Sequence, residues 1–385
     1  MISSSMALSS PVSLFQLCML LFSFFFSTSF SAKLNPTIDS LSLSFPLTSK
    51  PKSQNPFFFF FLQHKIFVQI LHGPGGYSTN RNPSTASTNG VGHRKPTLMD
   101  SNRLCHYSYF YADGTYAEGN LVREKLTFSP SQTTPPLILG CATESSDARG
   151  ILGMNLGRLS FPSQAKVTKF SYCVPTRQAA NDNNLPTGSF YLGNNPNSAR
   201  FRYVSMLTFP QSQRMPNLDP LAYTVPMQGI RIGGKKLNIP PSVFRPNAGG
   251  SGQTMVDSGS EFTFLVDAAY DAVREEVIRV VGPRVKKGYV YGGVADMCFD
   301  GSVMEIGRLI GDVAFEFEKG VEIVVPKERV LADVGGGVHC LGIGRSERLG
   351  AASNIIGNFH QQNLWVEFDL ANRRIGFGVA DCSRS

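Results

Sequence analysis

Tryptophan is almost missing from this 385-residue chain: the one indole is Trp365. Basic runs are missing as well. The formal net charge is +8, yet no five Lys or Arg residues stand together, which excludes the clustered footprint of a nucleic-acid-binding domain. No two cysteines have C-x-x-C spacing, so no structural zinc is expected, and no residue cluster asks for another cofactor. There is no Asn-x-Ser/Thr sequon, with x other than Pro, and so no expected N-glycosylation. Charged residues are few, at 17%, against 42% hydrophobic, the balance of a globular protein with a modest surface charge.

What is present is glycine, proline and short apolar runs. The 37 Gly and 24 Pro residues among many Val/Ile/Tyr/Phe stretches point to an all-β chain rich in turns, long enough for two lobes. Residues 1–32 read as a secretory signal: residues 14–30 are almost wholly apolar or small, and Ser29-Phe30-Ser31-Ala32 offers a cleavage site. After cleavage no stable membrane anchor is expected. Of seven cysteines Cys18 would leave with the leader, and the other six suggest three disulfides in an oxidising compartment. Residues 33–98 are rich in Ser, Pro and Asn, carry five consecutive phenylalanines at 57–61, and are expected to be mostly irregular.

From residue 99 onward the pattern becomes strand, turn, strand. Residues 107–111, 121–128 and 136–141 read as strands, with Ala112-Asp113-Gly114 turning between the first two. Residues 223–232 and 237–239 read as a hairpin about Gly233-Gly234. Residues 267–281 have a helical apolar face at Ala269, Val273, Val277 and Val280, stopped by Gly282-Pro283. Residues 366–368 and 375–377 read as closing strands. The most informative peptide is Met255-Val256-Asp257-Ser258-Gly259-Ser260, in which an apolar strand delivers a carboxylate into a tight turn. Gly259 permits close backbone approach, and Ser258 and Ser260 can hydrogen-bond around the carboxylate.

Taken with Phe262-Thr263-Phe264-Leu265, that peptide resembles the second active-site loop of pepsin-type aspartic peptidases of the plant nepenthesin-like group. Other stretches resemble the group in the same order. Tyr111-Ala112-Asp113-Gly114-Thr115 with Glu118-Gly119-Asn120-Leu121 is similar to the flap. Gly150-Ile151-Leu152-Gly153-Met154 and the stretch from Leu159 to Gln164 are similar to the first-lobe psi-loop and its helix. Phe170-Ser171-Tyr172-Cys173, Gly229-Ile230-Arg231-Ile232-Gly233-Gly234 and Ile355-Ile356-Gly357-Asn358-Phe359 follow. The resemblance covers about residues 99–382. It implies a bilobal, pepsin-like double β-barrel with a few short helices, 99–205 completing the N-terminal lobe and 206–385 forming the C-terminal one. It also implies a monomer of the secretory pathway, whether extracellular, in the endoplasmic reticulum or in the vacuole, acting on peptide or protein substrates. Asp257 would be the second-lobe catalytic aspartate, Ser260 its hydrogen-bond partner, Tyr111 the flap tyrosine and Gly114 the flap tip. Cys298 would pair with Cys340 and Cys173 with Cys382, which leaves Cys105 and Cys141 free or joined to each other. Asn358 and His360 read as structural.

The resemblance fails in one place. An apolar strand ending in D-T/S-G and followed by Trp should precede the flap, and none does. Ahead of Tyr111 the aspartates are Asp39, in Ile38-Asp39-Ser40-Leu41, and Asp100, in a segment resembling the run just before the flap. Three explanations stand: residues 33–98 replace the segment that bore the first loop, the chain is a non-catalytic relative, or two chains pair their Asp257 loops. The expected function is therefore the aspartic endopeptidase lineage with impaired turnover. The alternative is a secreted inhibitor or peptide-binding protein on the same fold.

Overall fold

The structure, a computed structural model, describes residues 43–48, 105–111, 116–129, 132–146, 151–176, 187–210 and 215–384. The expected leader at 1–32 lies outside them. Strands dominate the described residues, joined by three α-helices, Phe161–Ala165, Asp267–Val281 and Val303–Ile310.

The longest helix shows why local pattern suffices in places. Tyr270, Val273, Val277 and Val281 recur at intervals of three and four, with Ala269 four residues before Val273, and all are buried. The stripe ends on Val281 rather than Val280, which is part-exposed, and Gly282 caps the helix with its N–H on Ile278 O. The hairpin turn is equally local. Gly233 and Gly234 sit at φ +57° and +85°, the two left-handed positions of a two-residue turn matched to strand twist. Its return arm is Lys235–Lys236, with Leu237 N–H still donating to Ile230 O at 2.9 Å; Pro241–Phe244 then forms a 3₁₀ turn, since Pro240 and Pro241 have no N–H for a ladder.

A six-stranded antiparallel sheet ties the two ends of the described chain together. Its order is Leu43–Thr48, Thr187–Leu192, Lys169–Cys173, Leu364–Asp369, Arg374–Val379 and Arg202–Ser205. Leu43–Thr48 is a strand that the sequence reading of residues 33–98 as mostly irregular did not single out; the rest of that segment lies outside the described residues. Here apolar and small residues alternate through Leu41-Ser42-Leu43-Ser44-Phe45, and Pro46 is tolerated because this is an edge strand.

Every residue of Leu364–Asp369 is buried, and the strand's two-residue period sorts them. Phe368 faces Phe170, stacked at 4.7 Å, with Tyr223 at 4.4 Å and Tyr172 at 6.0 Å. On the other face Glu367 accepts from Tyr203 Oη at 2.6 Å, and Asp369 accepts from Arg374 Nε at 2.8 Å. Lys169 lies 3.5 Å from Glu367 and 3.7 Å from Asp369, so both buried carboxylates have cationic neighbours.

Disulfides join Cys173 to Cys382 and Cys298 to Cys340, the two pairs that the resemblance implied. Cys105 is a free, half-buried thiol and Cys141 is disulfide-bonded, which corrects the expectation that the two are both free or joined to each other. Topology explains why Cys105 does not reach Cys141. Cys105 leads into His106–Phe110, Cys141 lies on Leu137–Ser145 opposite Asn120, and Tyr116–Glu124 runs between those strands. Two strand spacings come to about 10 Å, beyond the Cα separation of about 7 Å that a disulfide spans.

Candidate active site

The site grows from a four-stranded sheet in the order Thr254–Val256, Asn354–Ile356, Thr263–Leu265 and Ile343–Arg345. Thr254–Val256 runs into Asp257 and lies parallel to Asn354–Ile356, while Thr263–Leu265 receives the chain on the far side of that same strand. The loop from Asp257 to Phe262 therefore straddles the strand it is hydrogen-bonded to. Asp257 N–H donates to Ile356 O at 3.1 Å. Beyond Ile356 the chain passes so near the loop that a Cβ on Gly357 would stand 2.0 Å from Phe262 O. Only glycine fits that crossing.

The carboxylate of Asp257 is fixed at both oxygens. Gly259 N–H donates to Oδ1 at 2.8 Å, and Ser260 Oγ–H donates to Oδ2 at 2.7 Å. Gly259 has no Cβ for a mechanical reason, since one would lie 3.0 Å from Oδ1. Asp257 and the three residues after it are half-buried. Asn358 pins the outer turn: its N–H donates to Ser260 O at 2.8 Å and its Nδ2 to Ser258 O at 3.2 Å. Asn358 is thus structural in the way the sequence suggests, with the site itself as the thing it supports.

His360 lies behind the loop. It is 2% exposed, its Nδ1 stands 2.8 Å from Thr263 Oγ1, and the rings of Phe359 and Phe315 pack edge-on at 5.1 and 5.4 Å. Nε2 is buried without a hydrogen-bond partner. Burial, helped by the charge of Arg329, holds its pKa down at about 3.

Two supports had no local signal in the sequence. Tyr172 comes from Lys169–Cys173 and Gln361 from the turn Asn358–Gln361, 189 residues away, and the phenol donates to Gln361 Oε1. Burial and then the negative charge of Asp257 raise the Tyr172 phenol well above its ordinary pKa, while a hydrogen bond from the Ser258 side chain opposes that rise. The hint available was a tyrosine inside an otherwise buried strand, where a hydroxyl demands a partner. The Tyr223 hydroxyl binds Met154 O, and Tyr223 O accepts from Val256 N–H at 3.0 Å, so the Asp257 strand is also tied to the first psi-loop segment.

Tyr111 closes the strand His106–Phe110 with its ring 4.7 Å from that of Tyr109. Gly114 lies outside the described residues. Among the described residues no group of three His, Cys, Asp or Glu side chains is placed to hold a metal ion, and no helix is long and apolar enough to cross a membrane.

Residues 74–194 match the family described as xylanase inhibitor N-terminal, and residues 222–379 match xylanase inhibitor C-terminal. Aspartic proteinase PCS1 of Arabidopsis thaliana is 36% identical over 316 residues, covering 75% of this chain and 67% of that protein. Nepenthesin-1 of Nepenthes gracilis is 32% identical over 294 residues, covering 74% and 63%. Nepenthesin-2 of the same plant is 30% identical over 300 residues, covering 75% and 64%. The chain thus spans about two thirds of the length of these relatives. In fold it resembles the crystal structure of edgp, with a TM-score of 0.58 at 17% identity over 90% of this chain and 96% of that one. Basic 7S globulin from soybean is similar, with a TM-score of 0.57 at 16% identity over 88% and 97%.

Proposed function

This chain belongs to the plant nepenthesin-like family of pepsin-type aspartic proteinases, and on that premise we propose that it is a peptide-binding member of the lineage with impaired turnover. The observation that carries the reading is a mismatch. The Asp257 loop is built and hydrogen-bonded, whereas the sequence holds no second Asp-Ser/Thr-Gly. Peptide hydrolysis by an aspartate pair needs one carboxylate to take a proton from water and another to protonate the scissile carbonyl. Asp257 alone can accept a hydrogen bond from the hydroxyl of a tetrahedral analogue, but it cannot fill both roles at once. The missing group removes a factor of roughly 10²–10⁴ in rate.

In this reading Tyr111 and Gly114 belong to a flap that closes over the bound peptide. The protein acts as a monomer of the secretory pathway, consistent with its apolar leader and its disulfides. The test is purified protein, freed of residues 1–32, assayed on denatured globin at acid pH and titrated with pepstatin by calorimetry. We expect no cleavage, and pepstatin binding that is lost in Asp257→Ala. Pepstatin-sensitive cleavage abolished by Asp257→Ala would overturn the impairment, and Asp39 and dimer formation would be examined next.

A second reading is favoured by the family descriptions, which name xylanase inhibitors for both matched segments. There the fold blocks an enzyme through its surface, and Asp257 is a relic. Titration against a xylanase separates the two, because inhibition that survives Asp257→Ala supports the second and not the first.

A further inference from the structure

A line of hydrogen bonds leads from the six-stranded sheet to the backbone of the aspartate. Tyr172, 3% exposed, donates its hydroxyl to Gln361 Oε1. Gln361, wholly buried, donates from Nε2 to Ile356 O at 2.7 Å. That same carbonyl accepts the Asp257 N–H at 3.1 Å. The Gln361 amide thus has each end committed, and its plane is set by the phenol at one end and the Ile356 carbonyl at the other. Ile356 O in turn sets the direction of the Asp257 N–H. The Tyr172 ring has little freedom of its own, packed against Phe368 at 6.0 Å on a strand paired residue by residue with Leu364–Asp369.

We propose that Tyr172 is a positioning residue for Asp257, acting through Gln361 and the Ile356 carbonyl to hold the aspartate's backbone in the orientation that presents its carboxylate to bound peptide. Tyr172 is buried and acts through the loop. Its effect is to make the pose of a half-buried loop depend on a sheet whose strands come from distant parts of the sequence. A buried amide that loses one partner keeps an unsatisfied oxygen and gains a reason to rotate.

The experiment compares the whole protein with Tyr172→Phe, which keeps the ring and removes one oxygen, and with Gln361→Met, which keeps the length and removes both bonds. Amide hydrogen exchange is followed at Asp257 and along Leu364–Asp369. Both variants should exchange the Asp257 amide faster, by ~10-fold for a hydrogen bond of ordinary strength, while the amides of Leu364–Asp369 are unchanged. Faster exchange along that strand by the same factor, or no change at Asp257, would show a merely structural tyrosine and overturn the inference. Pepstatin affinity is measured alongside and should fall by ~10-fold in both variants. Exchange that rises with affinity unchanged also overturns it. This second arm rests on the proposed function. If the unaltered protein binds no pepstatin, that reading falls, and the exchange result alone decides the role of Tyr172.

Discussion

The fully buried imidazole of His360 makes the fold sensitive to acid in a way that can be calculated. In the unfolded chain a histidine titrates near its ordinary value of 6.5, whereas in the fold burial and Arg329 hold it at about 3. A group whose folded pKa is depressed binds its proton first in the unfolded state, so for histidine stability falls as pH drops from 6.5 toward 3. The slope is about 1.4 kcal/mol per pH unit. Between pH 7 and pH 4.5 the group titrates over two units below 6.5, a loss of roughly 3 kcal/mol. The variant is His360→Gln, which is neutral at every pH and retains an amide to meet Thr263 Oγ1. Urea unfolding of both proteins at pH 7 and pH 4.5, with disulfides intact, gives the difference of differences. The repacking cost and the carboxylates common to both proteins cancel in it. We expect the wild-type protein to lose roughly 3 kcal/mol more than the variant on acidification. Equal losses would mean that His360 is protonated in the fold or reached by water, and would refute the reasoning.

Gly357→Ala should destabilise the protein by at least about 3 kcal/mol, the upper end of ordinary overpacking, because its Cβ would stand 2.0 Å from Phe262 O; an unchanged urea midpoint would show that the crossing is looser than described. Replacing Cys298 and Cys340 together by alanine opens a 42-residue loop and should cost about 4 kcal/mol by the chain-entropy relation. A loss below 1 kcal/mol, read from the same unfolding curves, would place the bond's effect elsewhere than in the unfolded chain.

Much of the architecture was legible where one local rule decided the outcome. Residues 267–281 announce a helix by their period and its Gly-Pro stop. Gly233-Gly234 announces a hairpin, and an apolar strand leading into Asp-Ser-Gly announces the loop that bears Asp257. The edge strand Leu43–Thr48 was missed because Pro46 and the small serines disguise a two-residue alternation, which only its pairing with Thr187–Leu192 makes plain. Tyr172 and Gln361 were illegible as partners for a different reason. Nothing in Phe170-Ser171-Tyr172-Cys173 says where its hydroxyl goes, and the answer lies 189 residues downstream. That Cys105 and Cys141 are not joined to each other was likewise a matter of strand order rather than spacing.

The place of the last hairpin in the six-stranded sheet sets a timetable for biosynthesis. Lys169–Cys173 finds one neighbour soon, in Thr187–Leu192, but its other neighbour is Leu364–Asp369, and its cysteine waits for Cys382, 209 residues later. At an elongation rate of 5–20 residues per second that wait is on the order of 10–40 s. Throughout it Tyr172, Phe170 and a reduced Cys173 remain on an unfinished edge, with the aromatic face that Phe368 will cover still open to other chains. Until Leu364–Asp369 has been made, that edge of Lys169–Cys173 has no strand to close it.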